Sequence, residues 1–160
     1  MEEKKLEQAM FGAGCFWGIQ DEFSHVKGVV KTTVGYAGGA MDNPSYKDVC
    51  TDSTGHAEVV LVEYDPSEVS YEELVKKFWE IHDPTTLNRQ GPDSGTQYRS
   101  IIFYFNADQE MRARASKEAV EKSGKYQNPL VTEIVSASPF YKAEEYHQEY
   151  LHKKGLHVCH

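Results

Sequence analysis

The order of sequence patterns predicts an α+β fold, a two-layer sandwich of sheet and helices with long functional loops and an irregular C-terminal tail. Three observations predict it. Strand-like and helix-like stretches interleave along the chain. One long loop, without a crossover helix, joins two adjacent strand patterns, which argues against a pure βαβ repeat. The strand pattern over residues 56–64 is apolar on both faces, with Ala57, Val59 and Leu61 on one and Val60, Val62 and Tyr64 on the other, so both are expected to be largely buried.

Each element has its own signal. Residues 5–12 read as a first strand and 16–24 as a short helix carrying Phe16, Ile19 and Phe23 on one stripe. A β-rich run over 26–36 ends in Gly35-Tyr36-Ala37-Gly38-Gly39, and the Gly, Asn, Pro and Ser that follow to Gly55 read as a long ordered loop. After strand 56–64, Ser70 and Glu73 form a capping box for a helix with Leu74, Val75, Phe78 and Trp79 on one face, stopped by His82-Asp83-Pro84. Residues 85–97 read as a second polar loop and 98–105 as a strand. A helix is predicted over 107–123 with Met111, Ala115 and Ala119 at i, i+4, i+8. The last strand and helix are expected at 132–137 and 143–153. No repeat, linker or low-complexity segment breaks the chain, and 160 residues with 39% hydrophobic content suit one domain over residues 1–160.

A net charge of -8 and a pI near 5.3 argue against nucleic acid or an anionic membrane as partner, since both require a basic surface. No run approaches a membrane span, and Met1-Glu2-Glu3-Lys4-Lys5 has no apolar signal region, so a cytoplasmic protein is expected. Three cysteines, an odd number without framework spacing, point to reactive or buried thiols rather than structural disulfides.

The chemistry concentrates in Gly12-Ala13-Gly14-Cys15-Phe16-Trp17-Gly18. Cys15 stands where a strand gives way to a helix, and a sulfur at a helix N-terminus faces unpaired N–H groups and the positive end of the dipole, which favour thiolate. The glycines open the backbone to a ligand and Phe16 and Trp17 offer it an apolar wall. A dinucleotide fingerprint does not fit, because no acidic residue follows at about twenty positions and the two aromatics would crowd a pyrophosphate. A cysteine–histidine hydrolase is conceivable, but nothing singles out one of the seven histidines.

Glu58 shares its strand face with Val60 and Val62, where a carboxyl group would have a raised pKa; the bland alternative is a sheet-edge glutamate reaching water. Tyr46 and Tyr98 stand where loop meets regular structure and could donate phenolic hydrogen bonds, although most of ten tyrosines must serve packing. His152, His157, Cys159 and His160 read as a solvated tail rather than a metal site, given their irregular spacing.

With these residues laid out, the chain resembles the A-type peptide methionine sulfoxide reductases. The shared segments are Gly14-Cys15-Phe16-Trp17-Gly18, Gly35-Tyr36-Ala37-Gly38-Gly39, Asn43-Pro44-Ser45-Tyr46, Val49-Cys50 with Thr54-Gly55-His56-Ala57-Glu58, the run from His82 to Gly91, Gly95-Thr96-Gln97-Tyr98-Arg99-Ser100, and Tyr146-His147-Gln148. The resemblance implies a ferredoxin-like plait and reduction of the S-epimer of methionine sulfoxide, free or in proteins, recycled by thioredoxin and needing no metal, flavin or nucleotide. By similarity Cys15 is the nucleophile, Glu58 the acid at the sulfoxide oxygen, Tyr46 and Tyr98 the assisting phenols, and Phe16 and Trp17 the pocket for the methyl group. Asp93 matches a polar residue that holds substrate or water, and Cys159 matches the recycling thiol. Pro92 departs from the family pattern and changes the loop before Gly95. The chain stops one residue beyond Cys159, so a three-thiol relay is not expected unless Cys50, read as structural, joins it.

Magnitudes rank these roles. Lowering a thiol pKa from about 8.5 to about 6.5 gives roughly 25-fold more thiolate at pH 7, but the accompanying loss of nucleophilicity removes about 8-fold. Proton donation, commonly about 10² to 10⁴ in rate, therefore has to carry more of the barrier. Glu58 at an ordinary pKa near 4.3 would be only about 0.2% protonated at pH 7, so it serves as donor only if burial raises that value. The rival reading is a thiol-based redox sensor or binding module that oxidises without turnover.

Overall fold

The computed structural model describes residues 5–51, 54–90 and 93–148. Pro92, Cys159, His152, His157, His160 and the second half of the helix expected over 143–153 lie outside the described residues. In chain order the elements are β1 (Glu7–Ala13), α1 (Phe16–Ser24), β2 (Val29–Ala37), α2 (Tyr46–Cys50), β3 (Ala57–Tyr64), α3 (Tyr71–Glu80), β4 (Arg89–Gln90), β5 (Asp93–Ser94), β6 (Ser100–Tyr104), α4 (Ala107–Lys122), β7 (Glu133–Ser136) and β8 (Tyr141–Lys142).

Six strands form one sheet in the order β7-β6-β1-β3-β2-β8, antiparallel except for the parallel pair β6 and β7. β1 and β3 take the centre. On one face Phe11, Val34, Val60, Val62 and Ile102 meet the apolar stripes of the helices, supplied by Phe16, Ile19 and Phe23 of α1, Leu74, Val75 and Phe78 of α3, and Ala113 of α4. On the other face Met10, Ala57, Val59, Ile101 and Phe103 form a second cluster, covered by Ala137 and Phe140. Both faces of β3 are thus buried, as its composition predicts. Each large side chain withdrawn from water contributes about 1.5–3 kcal/mol, so the two clusters make the central strands the most secure part of the scaffold. A mixed α/β fold with helices on a sheet is what the sequence patterns announce. No helix among the described residues is long and apolar enough to cross a membrane.

The structure differs from the sequence expectation in several places: the polar loop over 85–97 holds the paired strands β4 and β5, and β8, paired with β2, follows the strand expected to be the last. The loop expected between Gly39 and Gly55 contains α2, whose five residues are started by a capping box in which Ser45 accepts the Asp48 N–H and Asp48 accepts the Ser45 N–H. At Ser70 the predicted box is half formed: its hydroxyl accepts the Glu73 N–H at 3.1 Å. On α4 the Met111, Ala115 and Ala119 stripe faces solvent, with Met111 59% exposed; Gln109 and Ala113 are the buried residues. The reason is polar: Gln109 ties the helix to the sheet by donating to the Gln8 carbonyl, and Ser116 accepts the indole N–H of Trp79. Finally, Glu145–His147 is a 3₁₀ turn where an α-helix was expected, because Gln148 hooks onto β2, accepting the Val34 N–H and donating to the Val34 carbonyl, both at 2.9 Å.

Candidate active site

The turn from β1 into α1 places Cys15. Gly14 has φ +103°, a left-handed conformation that glycine adopts without penalty, and a Cβ there would lie 2.9 Å from the side chain of Gln90. Cys15 is then the N-cap residue of α1: its carbonyl accepts the Ile19 N–H at 3.4 Å while its side chain makes no capping bond. The sulfur is half-buried at the helix N-terminus, as expected, and is held in a disulfide. Cys50, read from sequence as structural, is instead an exposed free thiol on α2. It accepts a hydrogen bond from the Tyr46 phenol one turn earlier, and although the residue is exposed, partial desolvation of the sulfur raises its pKa.

Glu58 lies on the helix-facing side of β3, opposite Tyr36 in the register of β2. It is 1% exposed, so the sheet-edge alternative is excluded. Its Oε1 accepts the N–H of Phe16, the first amide of α1, at 3.2 Å, and its Oε2 has no hydrogen-bond partner among the described residues. Burial pushes its pKa up to about 8, against the pull of the Phe16 amide and with a smaller push from the negative charge of Asp93. A carboxyl group of that pKa is about nine-tenths protonated at pH 7, against about 0.2% at the ordinary value. The fold thereby supplies a buried acid bonded to the backbone amide that follows Cys15, with its second oxygen unpaired among the described residues.

The remaining sequence-predicted residues surround this acid. Tyr46 opens α2, and burial, the bond to Cys50 and the charge of Glu58 hold its phenol protonated far above the usual range. Tyr98 ends a 3₁₀ turn over Thr96–Tyr98 and is raised to about 12, first by burial and then by Glu58, Cys50 and Asp93. Asp93, in the small β4–β5 hairpin, has a pKa raised by burial and acts electrostatically on both Glu58 and Tyr98. Phe16 is fully buried and Trp17 half-buried; their rings stack on Tyr46 at 6.2 and 6.4 Å. The structure therefore brings together Cys15, Glu58, Tyr46, Tyr98, Asp93, Phe16 and Trp17. Cys159 lies outside the described residues.

Two further residues belong to this constellation and have no role in the sequence reading. Glu144 accepts the Tyr36 hydroxyl and the Tyr46 backbone N–H, both at 3.1 Å, which pins the start of α2. His147 accepts the Trp17 indole N–H at 3.0 Å. The sequence signal for His147 is the shared segment Tyr146-His147-Gln148, to which no function is attached; Glu144 lies outside it. Among the described residues no group of three or more His, Cys, Asp or Glu side chains is arranged to hold a metal.

A cysteine that is a thiol once its disulfide is reduced, a protonated carboxyl group and two protonated phenols around an aromatic wall suit nucleophilic attack on a polar, oxygen-bearing group with proton delivery to the oxygen. The comparisons with known proteins agree with that chemistry. Peptide methionine sulfoxide reductase MsrA of Methanoculleus marisnigri is 59% identical over 157 residues, covering 98% of this chain and 96% of that protein. The crystal structure of Mxr1 from Saccharomyces cerevisiae in reduced form superposes with a TM-score of 0.90 at 38% identity, covering 99% of this chain and 91% of that one. The same yeast protein in complex with Trx2 superposes with a TM-score of 0.65 at 29% identity, covering 93% and 87% of the two chains. Residues 7–160 match the family described as peptide methionine sulfoxide reductase, and with the relatives this establishes that the chain belongs to that family of enzymes, which reduce methionine sulfoxide.

Proposed function

We propose that this chain reduces the S-epimer of methionine sulfoxide, free or in proteins, with Cys15 as nucleophile, Glu58 as proton donor and Cys159 as recycling thiol. The observation that carries the assignment is the buried, protonated Glu58 beside the α1 N-terminus, with Oε2 unpaired among the described residues. The Cys15 thiolate attacks the sulfoxide sulfur while Glu58 protonates the oxygen and the Tyr46 and Tyr98 hydroxyls hydrogen-bond to it. The sulfur–sulfur bond so formed and the substrate's sulfur–oxygen bond then break as the oxygen passes to the Cys15 sulfur, leaving Cys15 oxidised by two electrons to a sulfenic acid and methionine reduced by two. The Cys159 thiol then attacks the sulfenic sulfur, releasing water and forming a disulfide, and the dithiol of thioredoxin reduces that disulfide and is itself oxidised.

Several observations support this reading. Cys15 is disulfide-bonded, the state expected at the end of the cycle. A yeast relative has been crystallised with Trx2, which supports thioredoxin as the reductant here. Trp17 and Phe16 provide the apolar wall for the methyl group, and Asp93 holds the substrate or a water beside Glu58. The order β6-β1-β3-β2 with α1 and α3 on one face supports the ferredoxin-like plait, carried by one domain over residues 1–160 in the cytoplasm.

Single-turnover and coupled assays test the assignment. C15S abolishes methionine formation, because an alcohol cannot become a sulfenic acid. C159S releases about one methionine per enzyme in a burst and then stalls with thioredoxin. Turnover by C15S would overturn the nucleophile, and sustained thioredoxin-driven turnover by C159S would transfer the recycling role to Cys50.

A further inference from the structure

His147 is 1% exposed and sits against three aromatic rings of the site, with centroid distances of 4.5 Å to Tyr46, 5.2 Å to Phe16 and 5.6 Å to Trp17. Its Nδ1 lies 3.0 Å from the Trp17 indole nitrogen. Indole N–H only donates, so Nδ1 is the acceptor and the proton of the neutral imidazole belongs on Nε2. Burial lowers the His147 pKa against the opposing charge of Glu144, which keeps Nδ1 available as an acceptor. The backbone behind the ring is anchored as well: Gln148, the next residue, is clasped to both polar groups of Val34 on β2.

Stacking on Tyr46, with rings inclined by 19°, constrains the plane of the Trp17 indole more than its angle within that plane. The directional N–H···N bond constrains that angle. We infer that His147 is a positioning residue for substrate recognition: through the Trp17 Nε1–H···Nδ1 bond it sets the angle at which the indole edge meets the group attached to the sulfoxide sulfur, and thereby favours a methyl group over a larger alkyl group. The inference rests on the reading that Trp17 walls the methyl pocket. One methylene in an apolar pocket is worth roughly 10- to 200-fold in discrimination, and a shift of the indole edge on loss of this bond changes the space available to it.

The test compares methionine sulfoxide with its S-ethyl homologue, ethionine sulfoxide, in the full chain carrying H147F, H147N, W17F and the W17F/H147F pair. H147F keeps an aromatic ring and removes the acceptor. It raises KM for methionine sulfoxide about tenfold with kcat within about twofold, and narrows the methyl-over-ethyl preference by a similar factor, as expected for loss of one buried hydrogen bond. H147N, whose Oδ1 accepts the indole N–H, recovers most of both. In the W17F background the N–H is already gone, so adding H147F changes KM by less than twofold. If H147F does not fold, H147A takes its place, and the same rise reversed in H147N is required of it. Wild-type KM and preference in H147F, a loss confined to kcat, or an undiminished effect in the W17F background each overturn the inference. If W17F and W17A themselves leave KM and preference unchanged, the methyl-pocket reading fails, whereas a Trp17 effect without a His147 effect sinks the inference alone.

Discussion

Glu58 shows how burial changes the protonation state of one residue. The amide of Phe16 favours the carboxylate, yet burial dominates and the pKa rises to about 8. A carboxyl group that must be protonated to act gives a definite pH signature. The donor contribution to the single-turnover rate is full below about pH 8 and falls tenfold per unit above it, following the pKa of Glu58. E58Q removes that dependence, slows the chemical step by about 10² to 10⁴, and leaves substrate binding nearly unchanged. Rapid-quench single turnovers across pH 6–10 measure this, and an unchanged rate in E58Q would remove Glu58 from the mechanism. The residue type and its apolar neighbours were readable from the alternation Glu58, Val60, Val62. Its oxygen, unpaired among the described residues, and the charge of Asp93 nearby were not, because Asp93 arrives from a hairpin far along the chain.

At the scale of elements, the caps divide into those that serve stability and those that serve the site. Asn106 starts α4 by accepting the Gln109 N–H at 2.9 Å, and that helix lends no residue to the constellation around Cys15. Ser45 starts α2, which carries Tyr46 and Cys50. N106A and S45A should each cost about 1 kcal/mol of stability, measured by denaturant unfolding. S45A also slows the single-turnover rate several-fold because the Tyr46 phenol loses its support, while N106A leaves it unchanged; equal rates in the two variants would refute the link. The capping signal for α2, Ser45 with Asp48, was present in the sequence. It announces no helix by itself, because five residues are too few for an apolar period to show. α4 is the opposite case. Its Met111, Ala115 and Ala119 have helical spacing, but hydrogen bonds from Gln109 to Gln8 and from Trp79 to Ser116 decide which face turns inward. Periodicity reports that a helix has a stripe; partners on other elements decide which stripe is buried.

For the whole molecule, two buried groups set opposing pH dependences. His82 donates to the Phe78 carbonyl and accepts from Ser100, whose hydroxyl is in turn bonded to Thr132, and burial lowers its pKa to about 4. Its folded pKa is depressed, so its contribution is complete above the unfolded value of about 6.5 and is lost as the pH falls toward about 4. Glu58 has a raised folded pKa, so its contribution is complete below about 4.5 and is lost as the pH rises through about 8. The two slopes cancel in part between about pH 4.5 and 6.5 and leave a net decline from there to about pH 8. Stability should therefore be greatest on the acid side of neutrality, and E58Q should be more stable than the parent at pH 8 but not at pH 4.5. Thermal or urea unfolding between pH 4 and 9 checks this; a parent curve rising steadily from pH 6.5 to 8 would contradict it.

The sequence by itself determined the interleaving of strands and helices, the doubly apolar β3, and a cysteine between glycines at a strand-to-helix junction, because backbone propensity and side-chain period are local properties. Only the tertiary structure decided what surrounds that cysteine. Glu58 from β3, Tyr46 from α2, Tyr98 and Asp93 from the loops before β6, and His147 from the C-terminal segment converge because sheet pairing and core burial draw distant segments together. A pKa, a tautomer and a ring angle depend on solvent exclusion and on neighbours remote in sequence, and these exist only once the chain has closed around them.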